Sequence, residues 1–295
     1  MLGLAEFGSY ALQVNGLYEQ RVAIANESDT ERDRAFREAL EAVLLKITGE
    51  RRWLEHPVLQ QAVRNAQSYV EGISYASETV EVIADELPRP ADPETDQAGQ
   101  VDPELAASSL PALREQRYID VNFAASLLDE LLASANIPVW DSNRPSVLVW
   151  LALQNAEGER SMLTADSNPR IIAIIQDFVT ERGLPIIFPV LDFEDRRALS
   201  EEALWTQDEA VISVASSRYG ADSVLSGRLL FTASGELVGL WQFIFQGQVE
   251  VFDGYDEELA GYLNAPLDRI TNQLASYFAI VPETASQQVV RLRVE

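Results

Sequence analysis

The chain has 295 residues, 47% hydrophobic and 23% charged, an ordinary globular composition with length for about two domains. It has no cysteine and a single histidine, His56, which excludes disulfides, thiolate metal sites, cysteine nucleophiles and multi-histidine metal centres. A formal charge of −25, from 47 Asp and Glu against 22 Lys and Arg, excludes nucleic acid and a bare anionic membrane surface as natural partners, since both need a basic face.

Lys46 is the only lysine, so nearly all positive charge is arginine. Two accounts stand side by side: an acidic surface suited to salty surroundings, where screening tames self-repulsion, or a GC-rich genome that spells basic residues as arginine. No run of about 18 apolar residues occurs, so no transmembrane helix is expected. Residues 1–15 read as a disordered terminus or as the remnant of a secretory signal, being small and apolar but lacking a basic start.

Taken in order, residues 17–24 predict a first strand through Leu17, Val22 and Ile24. Ser28 and Glu31 have capping-box spacing, and Phe36, Leu40, Val43, Leu44 and Ile47 recur at helical intervals until Gly49 ends the run. Pro57 opens a shorter helix carrying Leu59, Ala62 and Val63. Residues 69–83 read as β-structure, with Ile73, Tyr75, Val80 and Val82 as sheet residues. From 84 to 110, four prolines and seven carboxylates face a single arginine with little large apolar material; this predicts an exposed acidic insert that does not pack. Residues 117–123 resume as a strand, and Asn122 is placed to cap a helix with the stripe Leu127, Leu128, Leu131 and Leu132.

Seven consecutive apolar residues, Val147 to Leu153, follow Pro145 and predict a central strand covered on both faces. Asn168 and Pro169 start a thickly apolar helix through Ile171, Ile172, Ile175 and Phe178, which Gly183 stops. A short strand over 186–191 and a helix over 205–219 follow. Residues 222–231 and 237–245 form a hairpin about Ser234-Gly235, 249–252 adds a strand, and Leu259, Leu263, Leu267, Ile270, Leu274 and Phe278 mark a long helix bent or interrupted near Pro266. The helices from Ile171 and Leu259 are expected on opposite faces of the central strand. Val290, Leu292 and Val294 alternate with Arg291 and Arg293 in a last strand still running at Glu295, so the chain reads as part of a longer protein.

The order of elements predicts an α/β fold with an α+β N-terminal part: a mixed central sheet, helices on both faces, a parallel core and an antiparallel hairpin. The division expected is a unit over 16–140, carrying the 84–110 insert, and an α/β unit over 141–295.

The helix ending Leu-Lys-Ile-Thr-Gly at Gly49, the join from Ile137-Pro138-Val139-Trp140 to Asn143-Arg144-Pro145-Ser146-Val147-Leu148-Val149-Trp150-Leu151, the segment from Gly183-Leu184-Pro185 to Leu191-Asp192-Phe193-Glu194-Asp195, and the run Arg218-Tyr219-Gly220-Ala221-Asp222-Ser223-Val224-Leu225-Ser226-Gly227-Arg228 resemble the proteobacterial family called domain of unknown function 2066. That resemblance implies no established activity. Its members are mostly gammaproteobacterial and commonly begin with a secretory signal, which implies a periplasmic or envelope-associated protein, with the cytoplasm as the alternative. The run from Tyr219 to Gly227 is also similar to a helix–strand step in small α/β domains of envelope lipoproteins, a fold-level analogy only.

Asp192, Glu194 and Asp195 crowd past the carboxyl end of a predicted strand, where open α/β sheets gather ligands. They are candidates for holding a hard cation or for acid–base work, against the plain reading of a solvated helix start. Arg144 and Arg228 are candidates for pairing with the insert or an anionic ligand, or for structural carboxylate pairs. Trp150 and Gly227 are expected to be structural. His56, at a helix entry, has no visible catalytic partner. No Gly-x-Ser-x-Gly elbow surrounds Ser108, Ser109, Ser146, Ser216 or Ser217, and no phosphate-binding glycine motif occurs, so no cofactor is expected. Two functions remain: a non-catalytic envelope protein binding another protein or itself, through a partner strand accepted at the 229–245 hairpin, or a small-molecule or metal-dependent enzyme using Asp192, Glu194 and Asp195 with Arg144.

Overall fold

The computed structural model describes residues 12–82, 112–232 and 234–282. The expected insert at 84–110 and the expected last strand lie outside these residues. So does most of the 1–15 segment, but Leu12–Gln13 (β1) pairs with Asn143–Arg144 (β5) and is therefore ordered.

In the first part, Glu19–Ile24 (β2), Val70–Val82 (β3) and Ala112–Phe123 (β4) form an antiparallel sheet in the order β2-β4-β3. Asp29–Thr48 (α1) lies on one face, and Phe36, Leu40, Val43, Leu44 and Ile47 pack against Val22, Ile24, Ile119, Val121 and Phe123. Ser28 caps α1 as its spacing predicts. Its side chain accepts from the Glu31 amide, while Glu31 reaches back to the Ala25 amide rather than to Ser28. Pro57–Arg64 (α2) and Ala125–Ser134 (α3) complete this layer. Asn122 caps nothing: it is held in β4 between Glu19 and Gly72, and α3 starts at Ala125 without a side-chain cap. Strand pairing on both sides outcompetes one capping bond.

The second part is built on Val147–Gln154 (β6), whose residues 147–153 are all buried. Arg160–Met162 (β7) and Ile186–Ile187 (β8) share one side of it in tandem, β7 on Ala152 to Gln154 and β8 on Val147 and Leu148. On the other side Ser223–Phe231 (β9) runs parallel, and Leu237–Phe245 (β10) and Gln248–Asp256 (β11) follow antiparallel. The mixed α/β sheet is thus as predicted. The 186–191 strand is shorter than expected, because Pro189 has no N–H to donate and β7 takes the far end of β6.

Pro169–Arg182 (α4) follows β7 and completes the crossover from β6 to β8, and Phe193–Ala198 (α5), Glu201–Trp205 (α6) and Glu209–Ser216 (α7) link β8 to β9. The single helix expected over 205–219 is broken at Gln207, which takes a left-handed φ of 57°, and Asp208 then caps α7 by accepting from the Val211 amide. Leu259–Phe278 (α8) runs through Pro266 without interruption.

The faces differ from expectation. Val147, Val149 and Leu151 pack with Ile171, Ile175, Phe178, Ile270 and Leu274, so α4 and α8 share one face. Leu148, Trp150 and Ala152 pack with Leu204, Ile212 and Ala215 of α6 and α7 on the other. Crossovers of constant hand that step from β6 to β8 and then back past β6 to β9 must place their helices on opposite faces. The second face therefore belongs to the α5–α7 segment, and α8 is left to share the first.

Trp150 is fully buried under α7, its indole donating to Ser216 Oγ at 2.9 Å and its ring edge-on to Tyr219. Trp150→Ala is expected to cost about 3–5 kcal/mol through lost transfer energy, a cavity and the lost indole donor to Ser216, which still donates to the Ile212 carbonyl, measured as a lowered urea midpoint.

Candidate functional site

Asp192 caps α5 by accepting from the Asp195 amide at 3.0 Å, which turns Asp195 inward to full burial. Asp195 Oδ2 then accepts from the Leu191 amide at 2.9 Å and from the Tyr219 hydroxyl. Arg218 closes the cluster, with Nη1 2.7 Å from Asp192 Oδ1 and 2.9 Å from Asp195 Oδ1, and Nη2 2.9 Å from Asp192 Oδ2. Glu194 is exposed, with Arg218 3.5 Å away. The Arg218 hydrogen bonds hold the Asp192 carboxyl far below the usual carboxylate range, and burial, then the Asp195 hydrogen bond, pushes the Tyr219 hydroxyl up to about 12.

Two of the three predicted carboxylates therefore meet on one guanidinium, and the third points outward beside it. Their oxygens are occupied by fork-like arginine and backbone donors, the arrangement of an ionic latch rather than of an open cation site. Among the described residues no group of three or more His, Asp or Glu side chains could hold a metal ion. Arg218 and Tyr219, the partners that decide this, carry no role in the sequence reading although both lie in the run from Arg218 to Arg228. Their role needs the 26-residue separation between Asp192 and Arg218 to close in space.

Arg144 does not join this cluster. It is fully buried, and every hydrogen bond it makes goes to a backbone carbonyl: Nε to Asp141, Nη1 to Arg182 and Gly183, Nη2 to Lys46 and Trp140, at 2.6–3.0 Å. Its guanidinium stacks 4.3 Å from the Trp140 ring centroid. The expected carboxylate partner is replaced by the carboxyl ends of α1 and α4, whose last carbonyls carry the negative end of the helix dipole. Gly49 and Gly183 end these helices at φ 74° and 63°; a side chain at Gly49 would strike Trp140 and Ala275, and one at Gly183 the Arg144 guanidinium.

Two further buried cations complete the junction. Arg182 donates to the Gly49 carbonyl at 2.7 Å and to Asn272 at 2.9 Å, and pairs with Asp268. Lys46 lies 3.2 Å from the Glu19 carbonyl. Burial, and then the neighbouring Arg182 charge, lowers the Arg144 pKa to about 9, which leaves it charged at neutral pH. Burial, then Arg51, lowers Arg182 to about 10, and burial, then Arg144, lowers Lys46.

Arg228 likewise pairs with no carboxylate among the described residues: it donates to the Trp205 carbonyl at 2.9 Å and lies over the Trp205 ring. Gly227 is covered by the Trp241 ring, leaving no room for a side chain. His56 caps α2 through its ring, 3.4 Å from the Val58 amide.

The remaining feature is the free border of the large sheet. Neither β9 nor β10, the hairpin singled out in the sequence, is an edge, since β11 covers β10 along nine paired positions. Among the described residues β11 itself is paired on one side only. On the face shared with α6 and α7, its Val249, Val251 and Tyr255 are 37%, 53% and 62% exposed. On α8's face, Gln248 and Glu250 border a groove of about 430 Å³ with Phe243, Phe245, Gln273, Ser276 and Tyr277.

Comparison with known proteins adds the following. A family model described as a domain of unknown function, DUF8605, matches residues 11–141. The match is thus to a family without assigned function, though not to domain of unknown function 2066. No curated protein matches. Solved structures similar to the chain include the C-terminal domain of LpoB from Salmonella enterica, at 13% identity, 39% of this chain, 83% of that one and a TM-score of 0.27. Lipoprotein GNA1162 from Neisseria meningitidis is similar at 16% identity, 44% of this chain, 96% of that one and a TM-score of 0.21. Likeness at these scores carries no argument. No helix among the described residues is long and apolar enough to cross a membrane.

Arg144→Ala is expected to cost on the order of 3–5 kcal/mol, because five carbonyl contacts lose their donor inside the protein. Arg144→Lys should recover little of this, since an ammonium cannot fork toward three segments at once; chemical denaturation of both variants measures it. Asp192 adds a pH dependence. Its folded pKa lies below its ordinary value of 3.8, so the stability it confers is present above that value and lost as pH falls through and below it. Urea midpoints from about pH 5 to about pH 2 should fall less steeply in Asp192→Asn than in the parent.

Proposed function

We propose that the protein is a non-catalytic, envelope-facing accessory protein that binds an extended segment of another envelope protein, or of a second copy, by strand addition to β11. The observation that carries this reading is the nine-residue strand β11, paired on one side only among the described residues, with exposed Val249, Val251 and Tyr255 on it. Native sheets blunt such edges with charged residues, above all lysine, with proline or with a covering element; β11 has neither lysine nor proline, its charges are Glu250, Asp253 and Asp256, and among the described residues no strand pairs with its outer side. A partner strand would gain main-chain hydrogen bonds along the edge and apolar contacts on one face.

The engagement of two of its three carboxylates weighs against the competing enzyme reading. Asp192 and Asp195 are engaged by Arg218, and Arg144, its intended electrostatic partner, is engaged by carbonyls elsewhere. Membership of domain of unknown function 2066, an envelope address and the division into units 16–140 and 141–295 belong to the same proposal. The separate apolar clusters support that division, one drawn from residues 17–137 and the others from 140–275.

The test is affinity capture from envelope extracts with the parent chain and with a Val249→Lys/Val251→Lys variant, whose lysines sit on exposed positions and should leave the urea midpoint unchanged. A specific partner, or a second copy, retained by the parent and lost by the variant is expected. Recovery of nothing specific at low and high salt, or equal recovery by both chains, would count against the edge.

A further inference from the structure

We propose that the groove at the start of β11 is a side-chain pocket, and that the segment added to this edge carries an uncharged aromatic residue seated in it. This rests on the strand-addition reading and names the chemistry of the partner.

The groove is lined by three consecutive residues of β11, Gln248, Val249 and Glu250. The rest of its lining comes from β10, the turn after it and α8, so the groove meets β11 from α8's face, next to where an added strand would lie. Phe243 and Phe245 share α8's face with Gln248 and Glu250, being their direct partners across the ladder. A residue of the incoming strand opposite Gln248 or Glu250 on that face would therefore enter the space between β11 and the last turns of α8.

The lining selects what can enter. Phe243 and Phe245 are stacked with centroids 6.2 Å apart, and Tyr277 meets Phe245 edge-on at 5.5 Å. Tyr277 nevertheless keeps 59% of its surface exposed. Another ring could extend this edge-to-face packing. The amides of Gln246, Gln248 and Gln273 make no hydrogen bond among the described residues, and so can serve the polar tip of a tyrosine or tryptophan and the peptide flanking it. Charge is absent where it matters: the only ionisable carboxylate in the lining, Glu250, is paired with Arg269. In a chain of formal charge −25 this is a neutral surface, suited neither to a basic nor to an acidic side chain.

The test uses the full chain and labelled host peptides of alternating Thr and Val with one central guest: Trp, Tyr, Ala or Asp. Binding is followed by fluorescence anisotropy, with chitotetraose as a neutral glycan probe in a parallel titration. The Trp and Tyr guests should bind at least about tenfold more tightly than the Ala guest, with Asp weakest. Tyr277→Ala should reduce that preference to about twofold and leave the Ala-guest affinity unchanged; Gln273→Ala, on the exposed helix surface, should reduce it in part.

Equal affinity for all four guests, lost in the Val249→Lys/Val251→Lys variant, would overturn the pocket and leave the edge standing. No peptide bound by the parent, or binding indifferent to the edge lysines, would remove the edge and the pocket together. Chitotetraose bound through Tyr277 without any peptide bound would overturn the proposal in favour of a glycan site.

Discussion

The guanidinium of Arg144 is the contact on which the arrangement of this protein depends. Two helices, α1 from the first part and α4 from the second, bring their carboxyl ends to the same buried point, where unsatisfied carbonyls and dipole ends of one sign would repel each other. One planar cation with five directed donors answers both, and Arg182 repeats the solution by reaching from α4 back to the Gly49 carbonyl at the end of α1. Burying three cations so close together is costly, as the lowered pKa values of Arg144, Arg182 and Lys46 show. The cost is offset because each meets carbonyl or carboxamide oxygens, while Asp268 pairs with Arg182 and the nearby carboxylates of Asp141, Glu181, Glu50 and Glu19 act in the same favourable sense.

From this junction the sheet follows. β5 and β6 leave it directly, and the stepping of the chain first to β8 and then back to β9 distributes the helices over both faces. That same path leaves β11, beyond Ile244 of β10, outside the cover of α6 and α7, while α8 covers only its other face. The exposed valines and tyrosine of β11 are thus a consequence of topology, and the groove beside them arises where α8 ends over the β10–β11 turn.

The ionic latch of Asp192, Asp195, Arg218 and Tyr219 serves the irregular stretch after β8. A short strand, two prolines and a left-handed Leu191 leave the backbone here with few ladder partners. Side chains take their place, with Asp195 binding the Leu191 amide, Tyr219 the Val190 amide and Arg196 the Leu191 carbonyl. Carboxylates gathered at the end of a strand can mark a ligand site, but here they do the work that a longer strand would have done.

Much of the fold was legible in the sequence, because it depends on local periodicity. The apolar run Val147 to Leu153 could only be a strand covered twice, Ser28 and Gly49 bracket a helix by their own chemistry, and the glycine of Ser234-Gly235 marks a hairpin wherever the strands go. What the sequence could not reveal was every decision that rests on separation along the chain. Asn122 has a cap's chemistry and a strand's position, Arg144 has the charge to hold a carboxylate and instead holds carbonyls 38 and 98 residues away, and the free edge passes from the expected hairpin to β11. Such choices are made by competition between partners that only the folded chain brings together, so propensity and spacing determined the elements and tertiary structure alone decided which groups they satisfy.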